Sequence, residues 1–244
     1  MRPFICFMLA LCWVVPACAD EENVKKTIEE RIPGIVVDQV QRTPFFGLYE
    51  VRAGADILYT DDQVNHFMVG NVVDARTLEN LTAARTRQIN AIVFDQLPFN
   101  QAIPIVRGKG TRKMAYFADP LCGYCRKLDR DLAKLEDVTV YVFLYPVLSP
   151  ESVDLSRAVW CSPTPAIAWS NLMVNGTRPK TTGDCPSEAV DRNRELGKKL
   201  KIFGTPGLVF ENNVRVDGAI PLAKLEQHLK EAAQLRNKTV APIK

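Results

Sequence analysis

Two cysteines three positions apart, Cys122 and Cys125, stand in the run Leu121-Cys122-Gly123-Tyr124-Cys125-Arg126, after the apolar stretch Lys113 to Ala118. A C-x-x-C at a strand-to-helix junction puts both sulfurs on one face of the first helical turn, where unpaired backbone N–H groups and the helix dipole favour a thiolate. The same spacing serves redox dithiols and zinc half-sites, so the pair alone leaves both chemistries open. In the redox case Cys122, nearer the helix start and more exposed, is the attacking thiolate, and Cys125, a turn deeper, resolves the mixed disulfide. A plain structural disulfide is the other alternative, although closing so small a loop constrains the unfolded chain little.

Seven cysteines are present in all. Arg2, the apolar run Phe4 to Val15, Pro16 and Ala17-Cys18-Ala19 read as a targeting segment over residues 1–19, cleaved after Ala19. Acylation of Cys18 fits less well beside Pro16. Cleavage removes Cys6, Cys12 and Cys18 and leaves Cys122, Cys125, Cys161 and Cys185, an even set in a protein sent to an oxidising compartment. Cys161 and Cys185 are far apart with prolines between them. They most simply form a structural disulfide worth about 3 kcal/mol by loop closure, with a second redox centre as the alternative. Zinc held by all four cysteines is disfavoured, because the second pair lacks half-site spacing and thiolates oxidise in such a compartment. No metal and no cofactor are expected.

Other chemistry is thinly supplied. Gly204-Thr205-Pro206-Gly207 precedes a strand late in the chain. As a bare tetrapeptide it is an ordinary trans turn, but beside a C-x-x-C a cis proline would leave backbone groups free to pair with an extended substrate segment. The two histidines, His66 and His228, read as surface or packing residues, and neither offers a Cys-His or Ser-His arrangement. Asp119, followed by Pro120, reads as a turn residue rather than a proton relay.

These residues must be positioned by regular elements. Lys113–Ala118, a helix through Lys127–Leu135 with Leu128, Leu132 and Leu135 inward, and Val138–Leu144 form strand, helix, strand: a βαβ unit with a parallel sheet. A C-x-x-C in that setting reads as thioredoxin-like. Residues 154–200 form a mostly helical insertion broken by Pro163, Pro165 and Pro179. Leu208–Glu211 and Val214–Val216 flank Asn212-Asn213 as a type I′ hairpin, and Pro221–Leu235 closes the domain as a helix before a frayed tail. Upstream, Glu22–Ile32 is a short amphipathic helix. Ile35–Arg42, Gly47–Ala53, Asp56–Thr60 and His66–Val73 are strands of a small antiparallel sheet. A unit of about 60 residues buries little core and gains from pairing with a copy of itself. Leu78–Leu97 has helical spacing with Arg85 and Arg87 among polar neighbours, a connecting helix closed by Pro98.

The expected architecture is therefore an α+β N-terminal dimerisation domain (20–77), a linker helix (78–98), an α/β thioredoxin-like domain with a helical insertion (99–236) and a flexible tail (237–244). Its 244 residues, 47% hydrophobic and 24% charged, suit two ordinary globular domains. A formal charge of +3 argues against dedicated nucleic-acid binding. With no later apolar run of about 18 residues, no stable membrane insertion is expected.

Taken together, Cys122-Gly123-Tyr124-Cys125, Gly204-Thr205-Pro206, Trp160-Cys161 with Cys185, and Leu58-Tyr59-Thr60-Asp61-Asp62 with His66 resemble the DsbC/DsbG family of periplasmic thiol:disulfide interchange proteins. The Gly-Tyr dipeptide sides with the DsbC branch, and the resemblance spans nearly the whole mature chain. It implies a V-shaped periplasmic homodimer that isomerises incorrect disulfides in misfolded secreted proteins and is kept reduced by a DsbD-type membrane reductase. Cys122 then matches the nucleophile, Cys125 the resolving thiol, Thr205-Pro206 the cis-proline loop and Cys161 with Cys185 the structural bridge. Gly123 and Tyr124 join the loop as substrate-contacting residues. Pro120-Leu121 and the prolines near 163 and 165 depart from the family pattern. A dithiol oxidase and a non-enzymatic holdase are the competing functions.

Overall fold

The computed structural model describes residues 18–54, 56–180 and 185–240. The leader expected over residues 1–19 falls outside the described residues except for Cys18 and Ala19, which begin the first helix. Two compact units are present, Met1–Thr86 and Arg87–Lys244.

In the first unit α1 (Cys18–Arg31) lies against a four-stranded antiparallel sheet in the order β1 (Gln39–Arg42), β2 (Tyr49–Ala53), β3 (Asp56–Thr60), β4 (Phe67–Met68). Val24 and Ile28, four apart on α1, bury with Val37, Val40, Tyr49, Val51 and Val64. The strands are shorter than the sequence pattern suggests. The expected Ile35–Arg42 begins pairing only at Gln39, and His66–Val73 contracts to Phe67–Met68, because the chain turns out of the ladder at Gly70, which has φ 159°. Val73 returns in an isolated bridge to Asn80.

The continuous helix expected over Leu78–Leu97 is not formed. Its helical part is α2 (Leu81–Ile89), followed by 3-10 turns at Phe94–Gln96 and Phe99–Gln101. Side-chain demands explain the break. Within the first unit, Thr82 Oγ1 bonds Tyr59 Oη at 2.6 Å, while Arg85 reaches Glu50 at 2.9 Å and Gln41 at 2.9 Å. Within the second, Ile92, Phe94 and Leu97 sink into an apolar cluster, and the Phe94 N–H donates to Asn213 Oδ1 at 2.9 Å.

The second unit carries a five-stranded sheet from β5 (Ile103–Arg107), β6 (Arg112–Ala118), β7 (Val138–Leu144), β8 (Gly207–Phe210) and β9 (Arg215–Asp217), ordered β5-β7-β6-β8-β9. Only β6 and β7 run parallel; α3 (Gly123–Leu132) connects them. Alternation along β6 divides the core. Met114, Tyr116 and Ala118 face one apolar cluster, and Ala115 and Phe117 the other. Among the described residues the insertion forms three helices, α4 (Pro150–Trp160), α5 (Pro165–Asn175) and α6 (Glu188–Lys199). Gly197 on α6 permits a close approach, since a Cβ there would stand 2.3 Å from the Tyr145 ring. That ring's hydroxyl donates to the Ile202 carbonyl at 2.9 Å, fixing the chain that leads to Thr205.

Two local expectations are corrected here. The hairpin joining β8 to β9 has a three-residue loop, with the Asn213 N–H bonded to the Phe210 carbonyl and the Phe210 N–H to the Val214 carbonyl. Asn213 alone of the two asparagines has positive φ, 65°, which is a type I turn closed by a left-handed residue rather than type I′. The last helix, α7 (Leu222–Val240), continues into the segment expected to fray, since no proline or glycine interrupts Leu222 to Val240.

Candidate active site

β6 ends at Ala118 and α3 begins at Gly123, so the intervening turn sets the sulfurs. Asp119 holds that turn. Fully buried, its carboxylate accepts from the Leu121 N–H at 2.8 Å, the Val147 N–H at 2.8 Å, the Leu148 N–H at 3.0 Å and the Ser152 hydroxyl at 2.9 Å. The expected turn residue thus also ties the C-x-x-C turn to the loop between β7 and α4. Four donors satisfy the lone pairs that burial takes out of water.

Cys122 is the N-cap of α3, at φ −70° and ψ 118°, and its sulfur accepts from the Cys125 N–H at 3.4 Å. Across from it, the Thr205 carbonyl accepts from the Cys122 thiol at 3.3 Å, and the Thr205–Pro206 bond is cis. This loop covers the sulfur. Cys122 is only 6% exposed and Cys125 0%, so the expected exposed pair is in fact recessed, with Cys122 the more accessible of the two. Around them stand exposed apolar side chains: Tyr124 at 71%, Leu148 at 57% and Phe203 at 75%. At Gly123 an added Cβ would meet nothing within 4 Å.

The two thiols are driven apart electrostatically. Cys122 is lowered to about 5, chiefly because the Cys125 thiol donates to its sulfur. Partial burial opposes this, and the Thr205 side chain and the backbone N–H groups of Cys125 and Tyr124 add to it. The thiol's bond to the Thr205 carbonyl belongs to the protonated form and is given up on ionisation. Burial pushes the Cys125 thiol far up, and its donation to Cys122 pushes it further. One sulfur is thus a thiolate at neutral pH and the other keeps its proton, as attack followed by intramolecular release requires.

Cys161 and Cys185 are joined to each other, with Cα atoms 5.8 Å apart. This takes them out of any four-thiolate metal set with Cys122 and Cys125. His66 lies exposed in the first unit, and His228 stacks on Phe210 with ring centroids 4.9 Å apart. Neither enters the site.

Sequence reasoning passed over Asp129. It follows Cys125 by one turn on the buried face of α3, with Leu128 and Leu132, and is 6% exposed. Its carboxylate accepts from Tyr116 Oη at 2.9 Å and Trp169 Nε1 at 2.9 Å. The signal was present, since a carboxylate at i+4 from the second cysteine falls within an otherwise apolar stripe.

Comparison with known proteins places this geometry. Residues 15–83 match the family described as disulfide bond isomerase protein N-terminal domain, and residues 99–233 match the thioredoxin-like domain. A probable thiol:disulfide interchange protein DsbC of Bordetella pertussis is 43% identical over 208 residues, covering 85% of this chain and 74% of the relative. The chain belongs to the DsbC family. The DsbC of Escherichia coli K12 is 23% identical over 237 residues, covering 94% of this chain and 96% of its own. Among solved structures, a disulfide interchange protein from Neisseria gonorrhoeae aligns at TM-score 0.54 and 34% identity, over 56% of this chain and 99% of its own. A DsbC-family chain with a thioredoxin-like domain is a thiol-disulfide oxidoreductase. Among the described residues no helix is long and apolar enough to cross a membrane.

Proposed function

We propose that this DsbC-family protein is a disulfide isomerase acting on mis-bridged secreted proteins in the periplasm. The carrying observation is the opposed ionisation of two thiols in one helical turn, with Cys122 lowered to about 5 and Cys125 pushed far up. The Cys122 thiolate attacks a client disulfide, its sulfur joins one client sulfur and the other leaves as a thiolate. That client thiolate then attacks elsewhere, or Cys125 displaces the client and forms the Cys122–Cys125 disulfide. Thr205 and Pro206, beside the nucleophile, with Gly123 and Tyr124 between the cysteines, contact the client chain. Exposed Tyr124, Leu148 and Phe203 suit the apolar segments that misfolded chains display.

In this reading Cys161–Cys185 is a structural bridge and the chain works as a homodimer paired through its N-terminal unit. A DsbD-type membrane reductase returns Cys122–Cys125 to the dithiol, and a leader cleaved after Ala19 delivers the protein. Reactivation of a scrambled-disulfide substrate by the purified protein is the test. Cys122→Ala should abolish it, whereas unchanged reactivation would sink the proposal.

A periplasmic dithiol oxidase is the second reading, favoured by one observation. A low Cys122 pKa stabilises the reduced form over the disulfide, which is also what a strong oxidant needs.

A further inference from the structure

Beneath the dithiol runs a buried polar chain that nucleophilic attack does not use. Tyr116 is 0% exposed, and its hydroxyl bonds the Cys125 backbone carbonyl at 3.2 Å and Asp129 Oδ2 at 2.9 Å, while acting electrostatically on the Cys125 thiol. Asp129 Oδ1 is held by Trp169 Nε1 at 2.9 Å, which fixes the carboxylate plane. The chain therefore runs thiol, phenol, carboxylate, with no exposed member.

Release of a client by Cys125 needs such a chain. In the resting dithiol the Cys125 proton is shared with the Cys122 thiolate. Once Cys122 is bonded to a client sulfur that acceptor is gone, while burial still holds the Cys125 thiol protonated. The Tyr116 hydroxyl stands beside this residue, bonded to the Cys125 carbonyl at 3.2 Å, and donates its own proton to Asp129.

We propose that Asp129, acting through the Tyr116 hydroxyl, takes the proton of Cys125 as Cys125 displaces the client from Cys122. This rests on the cysteine roles given under Proposed function. The Cys125 proton passes to the Tyr116 oxygen as the phenolic proton passes to Asp129 Oδ2. The Cys125 sulfur bonds Cys122, the bond from Cys122 to the client breaks, and the client sulfur leaves as a thiolate. The two cysteines are oxidised to a disulfide and the client sulfur is reduced. Asp129 is a positioning residue for the proton and touches no client atom.

The neighbourhood suits an acceptor active near neutrality. Burial raises Asp129 to about 7, against the Tyr116 and Trp169 hydrogen bonds and the positive charge of Arg107 on β5. Tyr116 itself is pushed well above its ordinary range by burial, then by Asp129 and Cys125, so it relays without standing ionised. Asp119 contributes a backbone N–H towards Cys125.

The reduced protein is mixed with an aromatic disulfide whose thiolate is coloured, and two phases are followed from about pH 5 to about pH 9. The first is attack by Cys122 and the second is release by Cys125. In the wild-type protein the second phase should accelerate as pH rises through about 7, where Asp129 ionises. Asp129→Asn keeps a Trp169 acceptor and a Tyr116 partner, and should slow the second phase by about 10-fold or more and erase that step in its pH profile. Tyr116→Phe, which keeps the ring, should do the same, with the first phase unchanged in both. A second phase of unaltered rate and pH profile in both variants overturns the relay. Absence of the first phase in the wild-type protein would instead overturn the dithiol roles themselves.

Discussion

Cys122 and Cys125 share one helical turn yet titrate in opposite directions, and the reason is reciprocal. The hydrogen bond that donates the Cys125 proton to the Cys122 sulfur stabilises one charge and opposes the other. Alkylation of Cys122 followed against pH should therefore show a midpoint near 5 in the reduced protein, moving up towards ordinary thiols in Cys125→Ala. An unchanged midpoint in that variant would place the cause elsewhere. The same shift is a stability statement. With the folded value below the unfolded value near 9, the contribution is fully present above about pH 9 and is lost as pH falls through about 5. Asp129 opposes it, because a carboxyl raised to about 7 contributes most below its ordinary 3.8 and loses that contribution as pH rises through 7. At this scale the sequence exposed the sulfurs through spacing, and Thr205-Pro206 only through the fold context that the C-x-x-C implied. Asp129 and Tyr116 stayed hidden because their roles depend on burial, and burial is a property of the packed helix and strand.

Elements were legible where periodicity is long and blurred where side chains compete. Lys113–Ala118 and Val138–Leu144 emerge as β6 and β7 nearly residue for residue, because Met114–Ala118 and Val140–Leu144 are continuous apolar and aromatic runs buried on both faces apart from the half-buried Tyr141. The expected helix over 78–97 failed since Thr82 and Arg85 serve one unit's core and Phe94 and Leu97 the other's. Helical spacing records none of this. A different kind of element is β4, a two-residue edge strand paired among the described residues with β3 alone, with Phe67 at 38%, Met68 at 49% and the following Val69 at 84% exposure. An apolar open edge is a template for another strand. The proposed dimer should pair there, and Met68→Glu should shift sedimentation from dimer towards monomer. A wild-type protein sedimenting as a monomer at micromolar concentration would contradict it.

For the molecule as a whole, a thioredoxin-like unit supplies the reacting sulfurs and a separate small unit carries no thiol among its residues with described side chains. The change in hydrophobic period falls near residue 78, whereas the compact units divide between Thr86 and Arg87, because α2 packs its Thr82 and Arg85 into the first unit. The chemistry distinguishes a reduced working form from an oxidised one: an isomerase begins each cycle with the Cys122 thiolate, and an oxidase begins with the Cys122–Cys125 disulfide. The most direct measurement is the redox state of these two cysteines in the cells that make the protein, captured by acid quenching and thiol alkylation. The isomerase account predicts Cys122 and Cys125 mostly reduced beside an intact Cys161–Cys185 bridge; a mostly oxidised Cys122–Cys125 pair would contradict it.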